Sequence, residues 1–175
     1  MSERGTNEAE LDDFDRVIGS LIKNDVDFMI IGGYAVIFHG NVRTTKDLDI
    51  LIRRTPENAK RTVAALEQIG LTCPELSPEF FMSGKGITFG EPPMRVDVLS
   101  EVRGVNFDDA WTRRQTSRFG PHEANYIGLD DLVRNKEAVG RPQDLVDAQR
   151  LRLAQERSLG APHEKQVEGD EGPDL

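Results

Sequence analysis

Ile30–Ile31–Gly32–Gly33–Tyr34–Ala35, followed by Arg43–Thr44–Thr45–Lys46–Asp47–Leu48–Asp49–Ile50–Leu51–Ile52, decides how this chain folds. The first run reads as a buried strand, a glycine turn and a short helix. The second reads as an apolar strand that opens with two carboxylates one residue apart. Apolar strands exclude charge because an unpaired buried carboxylate is costly. Residues i and i+2 of a strand leave the same face, so Asp47 and Asp49 point the same way, with Cα atoms roughly 6.5–7 Å apart. Two such groups need a compensating cation.

A third strand carboxylate is readable downstream. In Met94–Arg95–Val96–Asp97–Val98–Leu99, alternation puts Met94, Val96 and Val98 on one face and Arg95, Asp97 and Leu99 on the other. If this strand pairs beside that of Asp49, three carboxylates meet at one corner of a sheet. An all-oxygen set suits Mg²⁺ or Mn²⁺, and two such ions about 3.5–4 Å apart clamp an in-line phosphoryl or nucleotidyl displacement. Gly32–Gly33, between strand and helix, leaves backbone N–H groups and no Cβ atoms where a phosphate would sit. Arg43 and Thr45, just before Asp47, are placed to contact phosphates. A lone Gly–Gly is ordinarily a turn and a lone Asp-x-Asp a solvated rim; their succession, with Asp97, points to a site.

The rest of the chain frames this centre. Leu11, Phe14, Ile18, Leu21 and Ile22 have helical spacing from Glu8, with a stop at Asn24–Asp25. Val26–Ile31 is apolar enough for a central strand. Thr55–Pro56–Glu57 starts a helix that turns Ala59, Val63, Leu66 and Ile69 inward and ends at Gly70. Leu71–Cys73 is expected to begin a strand, Phe80–Met82 and Ile87–Phe89 to form a hairpin around Ser83–Gly86, and Met94–Leu99 to be a strand. A short helix is expected over Phe107–Arg113, a strand over Ala124–Ile127, and helices over Leu129–Ala138 and Pro142–Glu156. The acidic, glycine-bearing stretch from Gly160 reads as disordered.

Composition narrows the function classes. The 175 residues carry 31 acidic against 22 basic side chains, a formal charge of −9. A chain that grips a long duplex over its surface needs a dense basic face, which this balance excludes. The single cysteine, Cys73, rules out an intrachain disulfide. Met1–Glu10 lacks the apolar stretch of a signal peptide, and no run approaches the roughly 20 residues of a membrane span. The expectation is a soluble cytoplasmic protein with no membrane partner.

Gly32–Gly33-x-Ala35, Gly40, Arg43-x-Thr45-x-Asp47-x-Asp49 and the later Asp97 together resemble the nucleotidyltransferase superfamily related to DNA polymerase β, and within it the small bacterial AbiE-type toxins and lincosamide nucleotidyltransferases. The resemblance spans Val26–Leu99 and touches Leu129–Leu151, where Leu132-x-x-x-Lys136 and Arg141-x-x-Asp144-x-x-Asp147 match the family's helical segment. It implies an α+β fold, a nucleotidyltransferase-like mixed β-sheet flanked by helices with a short C-terminal helical segment. The expected division is a disordered N-terminus (1–7), the core (8–128), the helical segment packed on it (129–158) and a disordered acidic tail (159–175). It also implies roles. Asp47, Asp49 and Asp97 would be catalytic and bind the metal, Asp97 also acting as general base. Gly32, Gly33, Arg43, Thr45 and Lys136 would bind the NTP. Many members carry Gly–Ser at the turn; Gly33 in the serine's place shifts phosphate binding onto backbone amides. The acceptor (RNA end, protein or small molecule) and the NTP stay open, as do an antitoxin partner and a homodimer. The rival readings are a binding module of the same fold without turnover and a phosphohydrolase using the same carboxylates.

Outside that set, Asp144 and Asp147 are expected to hold the helical segment with Arg141, and His39 to pack or cap. Trp111 is expected to pack its helix, with base stacking as the alternative. Arg53–Arg54, Lys60–Arg61, Arg113–Arg114 and Arg118 read as a solvated face or flanks for a nucleic acid.

Overall fold

The computed structural model describes residues 4–160, of which 4–12 are described as helical backbone. Helix α1 (Arg4–Lys23) leads into β1 (Phe28–Ile31), α2 (Gly32–Phe38) and β2 (Asp47–Ile52). Then come α3 (Pro56–Gln68), α4 (Pro78–Met82), β3 (Ile87–Phe89), β4 (Arg95–Leu99) and α5 (Phe107–Thr112). The chain continues through β5 (Gln115–Phe119), β6 (His122–Tyr126), α6 (Leu129–Val139) and α7 (Pro142–Gly160). One six-stranded sheet has the order β3-β4-β2-β1-β6-β5. β2 runs antiparallel to β1 and parallel to β4; β6 runs parallel to β1, and β3 and β5 pair antiparallel at the two edges.

Strand alternation divides the apolar residues into two cores. Phe28, Ile30, Leu48, Ile50, Ile52, Val96 and Val98 pack with Phe14, Val17, Ile18 and Leu21 of α1 and with Ala59, Ala65 and Leu66 of α3. The opposite face gathers Met29, Ile31 and Leu51 with Ala35, Val36, Ala110, Leu132, Val133, Ala148 and Leu151. Asp47, Asp49 and Asp97 belong to this second face by parity, at the end of the strands where the apolar packing stops. β1 and β2 are central, as their unbroken apolar runs require.

Several expected elements are corrected. α1 has helical backbone from Arg4, within the N-terminal stretch expected to be disordered; residues 1–3 and 161–175 of the two expected disordered ends lie outside the described residues, as does the side chain of Leu11. Residues 159–160 complete α7. Val17 takes the buried position on α1, while Ile22 is exposed. Leu71–Cys73 forms no strand: Leu71 N–H bonds the carbonyl of Leu66 across Gly70, whose φ of 93° ends α3. Phe80–Met82 is helical, not a hairpin arm. Ser77 accepts the N–H of Phe80 and Pro78 occupies the first turn, so Ser77–Pro78–Glu79 caps α4 as Thr55–Pro56–Glu57 caps α3. Gly84 and Gly86 therefore link a helix to β3. β5 was not foreseen, since its outward residues are polar and only Phe119 is buried.

The inner face of α3 also departs from the simple apolar stripe. Asn58 and Thr62 are buried, and Val63 and Ile69 sit at the rim. Asn58 replaces missing strand hydrogen bonds just after β2. Its Oδ1 accepts the Asp27 N–H (2.8 Å), and its Nδ2 donates to the carbonyls of Arg53 (2.8 Å) and Asp27 (3.1 Å). Truncation would orphan the Asp27 N–H, while the carbonyls of Asp27 and Arg53 keep the N–H groups of Arg53 and Thr55. Asn58→Ala is expected to lower unfolding stability by about 1–3 kcal/mol, against about 1 kcal/mol or less for loss of the cap in Thr55→Ala; urea denaturation of the two variants measures the difference.

Candidate active site

The register of the sheet assembles the site. Ile31 of β1 lies opposite Asp49 of β2, Asp49 beside Asp97 of β4, and Asp97 opposite Thr88 of β3. Four strands thus contribute one row, and the parallel β2–β4 pairing that the sequence made conditional is present. Asp47 stands one step along the same face beside Arg95; both are exposed, whereas Asp49 and Asp97 are half-buried. The carboxyls of Asp49 and Asp97 share a hydrogen bond, and Thr88 Oγ1 donates to Asp97 Oδ1.

Gly32 and Gly33 meet this row directly. A Cβ on Gly32 would lie 2.1 Å from Asp49 Oδ2, and the φ of 64° there independently favours glycine. A Cβ on Gly33 would lie 2.5 Å from Thr45 Oγ1. The room left by the two missing side chains is therefore filled by Asp49 and Thr45. What remains for an anion is the backbone at the start of α2, where Ile31 supplies no side-chain cap. The glycines are helical residues of α2, not a separate turn.

The wall opposite is built by α6 and α7. Lys136, 7% exposed, is neither a solvated lysine nor free: its Nζ lies 3.1 Å from Asp144 Oδ1 and 3.3 Å from Asp147 Oδ2. Arg43 also pairs with Asp147, which tethers the loop carrying Thr45 to α7. Arg141 Nε reaches Asp144 Oδ2 at 2.7 Å, as its spacing implied. Burial works against the charge of Asp144, but hydrogen bonds from Arg141 and Lys136 outweigh it and hold the carboxyl below its ordinary range. His39 caps α2, with Nε2 2.7 Å from the carbonyl oxygen of Ile127. Burial lowers its pKa, partly offset by that bond.

Electrostatics single out Asp49. Burial, the hydrogen bond with Asp97 and the charges of Asp97 and Asp47 push its carboxyl up to about 7, against the pull of Lys136. Among the described residues, no three ligating side chains close into a finished metal site. The donor set still fits a hard divalent ion in kind, being all carboxylate oxygen with like charges forced together. The arginine clusters are largely spent within the chain. Arg53 binds Asp27 at 2.9 Å and also pairs with Asp108, Arg54 lies 3.4 Å from Glu101, and Arg113 grips the buried Asp131. Arg118, Lys60 and Arg61 are exposed. Trp111 stacks on Phe107 beneath the guanidiniums of Arg53 and Arg114, which favours the packing role. Thr88 and Asp131 were missed by sequence reasoning. Thr88 needed the edge pairing to be known, and Asp131 lies in the first turn of α6, where an acid is favoured by the helix dipole whether or not an arginine meets it.

A raised carboxyl pKa has a definite sign. The folded protein keeps the Asp49 proton up to about pH 7, whereas the unfolded chain releases it near 3.8. Stability is therefore expected to fall as pH rises through that window, with the penalty complete above about 7. Asp49→Asn should flatten the slope. Urea midpoints against pH, with carboxyl ¹³C shifts of Asp49 and Asp97 in metal-free protein, measure both.

No family model and no curated protein matches the chain. Among solved structures it is similar to the antibiotic-resistance factor ANT(2'')-Ia in solution, with TM-score 0.50 and 14% identity over 89% of this chain and 85% of that one. It is also similar to the crystal structure of ANT(2'')-Ia in complex with adenylyl-2''-tobramycin, with TM-score 0.51 and 13% identity over 87% and 90% of the two chains. At these identities the likeness is one of fold: the six-stranded mixed sheet flanked by helices is what the chain shares with ANT(2'')-Ia.

Proposed function

We propose that this chain is a metal-dependent nucleotidyltransferase that moves an NMP from an NTP to a hydroxyl of an acceptor and releases pyrophosphate. The observation that carries the reading is the Asp49–Asp97 pair, held together across two parallel strands directly beside the glycine start of α2. The fold shared with ANT(2'')-Ia, solved with an adenylylated aminoglycoside, supports it.

In this reading Asp47, Asp49 and Asp97 would hold Mg²⁺ or Mn²⁺, which would supply charge neutralisation at the phosphates. The backbone N–H groups of Gly32 and Gly33 receive a phosphate, with Thr45 packed behind them. Lys136 and Arg43 lend positive potential from their ion pairs with Asp144 and Asp147 and keep α6, α7 and the Thr45 loop in place. Asp97 takes the proton of the acceptor hydroxyl. The hydroxyl oxygen bonds the α-phosphorus, the α–β anhydride bond breaks, and pyrophosphate leaves. Rate comes from positioning and electrostatics, without a side-chain nucleophile. The likeness to AbiE-type and lincosamide enzymes in Gly32–Asp49 supports placement in that branch.

Pyrophosphate release from each NTP with Mg²⁺, against RNA, protein and aminoglycoside acceptors, tests the reading. Asp47→Ala and Asp49→Ala are expected to lower release by about 10²–10³-fold, the scale of lost catalytic electrostatics, and Gly32→Ala to impair it by displacing the Asp49 carboxylate. Equal rates in parent and aspartate variants would sink the proposal. Calorimetric NTP binding with no turnover would favour the binding-module reading, and orthophosphate in place of pyrophosphate would favour a phosphohydrolase.

A further inference from the structure

The three carboxylates of the row are not held equally. The Asp49 carboxyl is wedged against Gly32, where its oxygen occupies the space a side chain would take. Asp47 is exposed at the open end. Asp97 has no such wedge. The last torsion of an aspartate is broad and roughly two-fold, so packing of the Cβ alone does not set where its oxygens point. Beside the hydrogen bond it shares with Asp49, one hydroxyl bears on it: Thr88 Oγ1, on the edge strand β3, donates to Asp97 Oδ1 from the register position directly opposite.

We propose that Thr88 is a positioning residue for the transfer reaction, fixing the rotation of the Asp97 carboxyl so that its remaining lone pairs face Asp49 and the bound cation. The inference rests on the nucleotidyltransferase reading of the site. Three observations carry it. Thr88 shares the sheet row of Asp49 and Asp97, and no other side chain of β3 does. Thr88 is exposed, so its hydroxyl would be satisfied by water and the bond adds little to folding; its effect is on orientation. Asp97 lies on β4, whose neighbour on that side is the three-residue β3, leaving Thr88 as the one residue that can steady it from the edge. The role is that of a partner that orients a ligand, whose loss typically weakens metal affinity or activity by about 10–100-fold.

The test uses the full chain and Mn²⁺. Mn²⁺ affinity is read by electron paramagnetic resonance titration, and kcat and KM for the NTP by pyrophosphate release. Thr88→Val keeps the branched shape and removes the donor; Thr88→Ala is the second deletion should the valine variant fold poorly. Thr116→Val is the matched control. Thr116 is also exposed on an edge strand and donates to a side chain, Asn125 Oδ1 at 2.8 Å, but at the far side of the sheet. Thr88→Val and Thr88→Ala are expected to weaken Mn²⁺ binding and lower kcat by about 10–100-fold with KM for the NTP little changed, Thr88→Ser to recover most of both, and Thr116→Val to match the parent. Parent-like Mn²⁺ affinity in Thr88→Val and Thr88→Ala, or a serine variant as impaired as the valine one, overturns the inference while leaving the nucleotidyltransferase reading intact. A parent that neither binds Mn²⁺ nor releases pyrophosphate overturns that reading, and this inference falls with it.

Discussion

Two carboxyl groups pressed together are the constraint on which this structure turns. Asp49 and Asp97 face each other because β2 and β4 run parallel in a register that aligns them. Neither strand can slip by one residue without exposing Leu48, Ile50, Val96 and Val98, which lie in the core on the other face. The apolar face thus enforces the contact that the polar face resists. Burial, with the hydrogen bond and charge of Asp97 and the charge of Asp47, keeps the Asp49 carboxyl protonated up to about pH 7, where an isolated aspartate would be ionised.

Around this pair, each element does one definable thing. α2 begins with glycines because the Asp49 carboxylate and Thr45 occupy the positions of the missing side chains. The loop before β2 is tied to α7 through Arg43 and Asp147. Three cations, Lys136 of α6, Arg43 of the loop before β2 and Arg141 just before α7, converge on Asp144 and Asp147, two buried carboxylates of α7. That group carries one positive charge in excess and faces the carboxylate row, consistent with the pull of Lys136 on Asp49. Glycine and aspartate are set by steric fit, the arginine and lysine by charge.

Much of this was legible in the residues. Asp47, Asp49 and Asp97 stood out because charge interrupted apolar alternation, and strand parity placed them on one face before any pairing was known. The glycine pair and the Arg141–Asp144 spacing were readable for similar reasons. The failures are equally physical. The capping signature read at Thr55 recurs at Ser77, where it prevails over the β-like composition of Phe80–Met82 that suggested a hairpin arm. β5 shows almost no apolar pattern because it is an edge. Lys136 could not be placed from sequence, since its burial depends on Asp144 and Asp147 arriving from another helix. Thr88 carries no local signal at all; only the strand pairing gives it a partner.

The three-way contact of Arg43, Lys136 and Asp147 has a consequence for how such a chain can change. Asp147 is 0% exposed, so neither of its cations can be lost alone without leaving charge unbalanced in a dry place. The residues come from the loop before β2, from α6 and from α7, and they form a single unit of exchange. A C-terminal segment grafted from another protein of this fold would be accepted only if it brought the matching acid to meet Arg43. The helices after the sheet are therefore less an appendage than a lock whose key lies a hundred residues upstream, at position 43 against position 147.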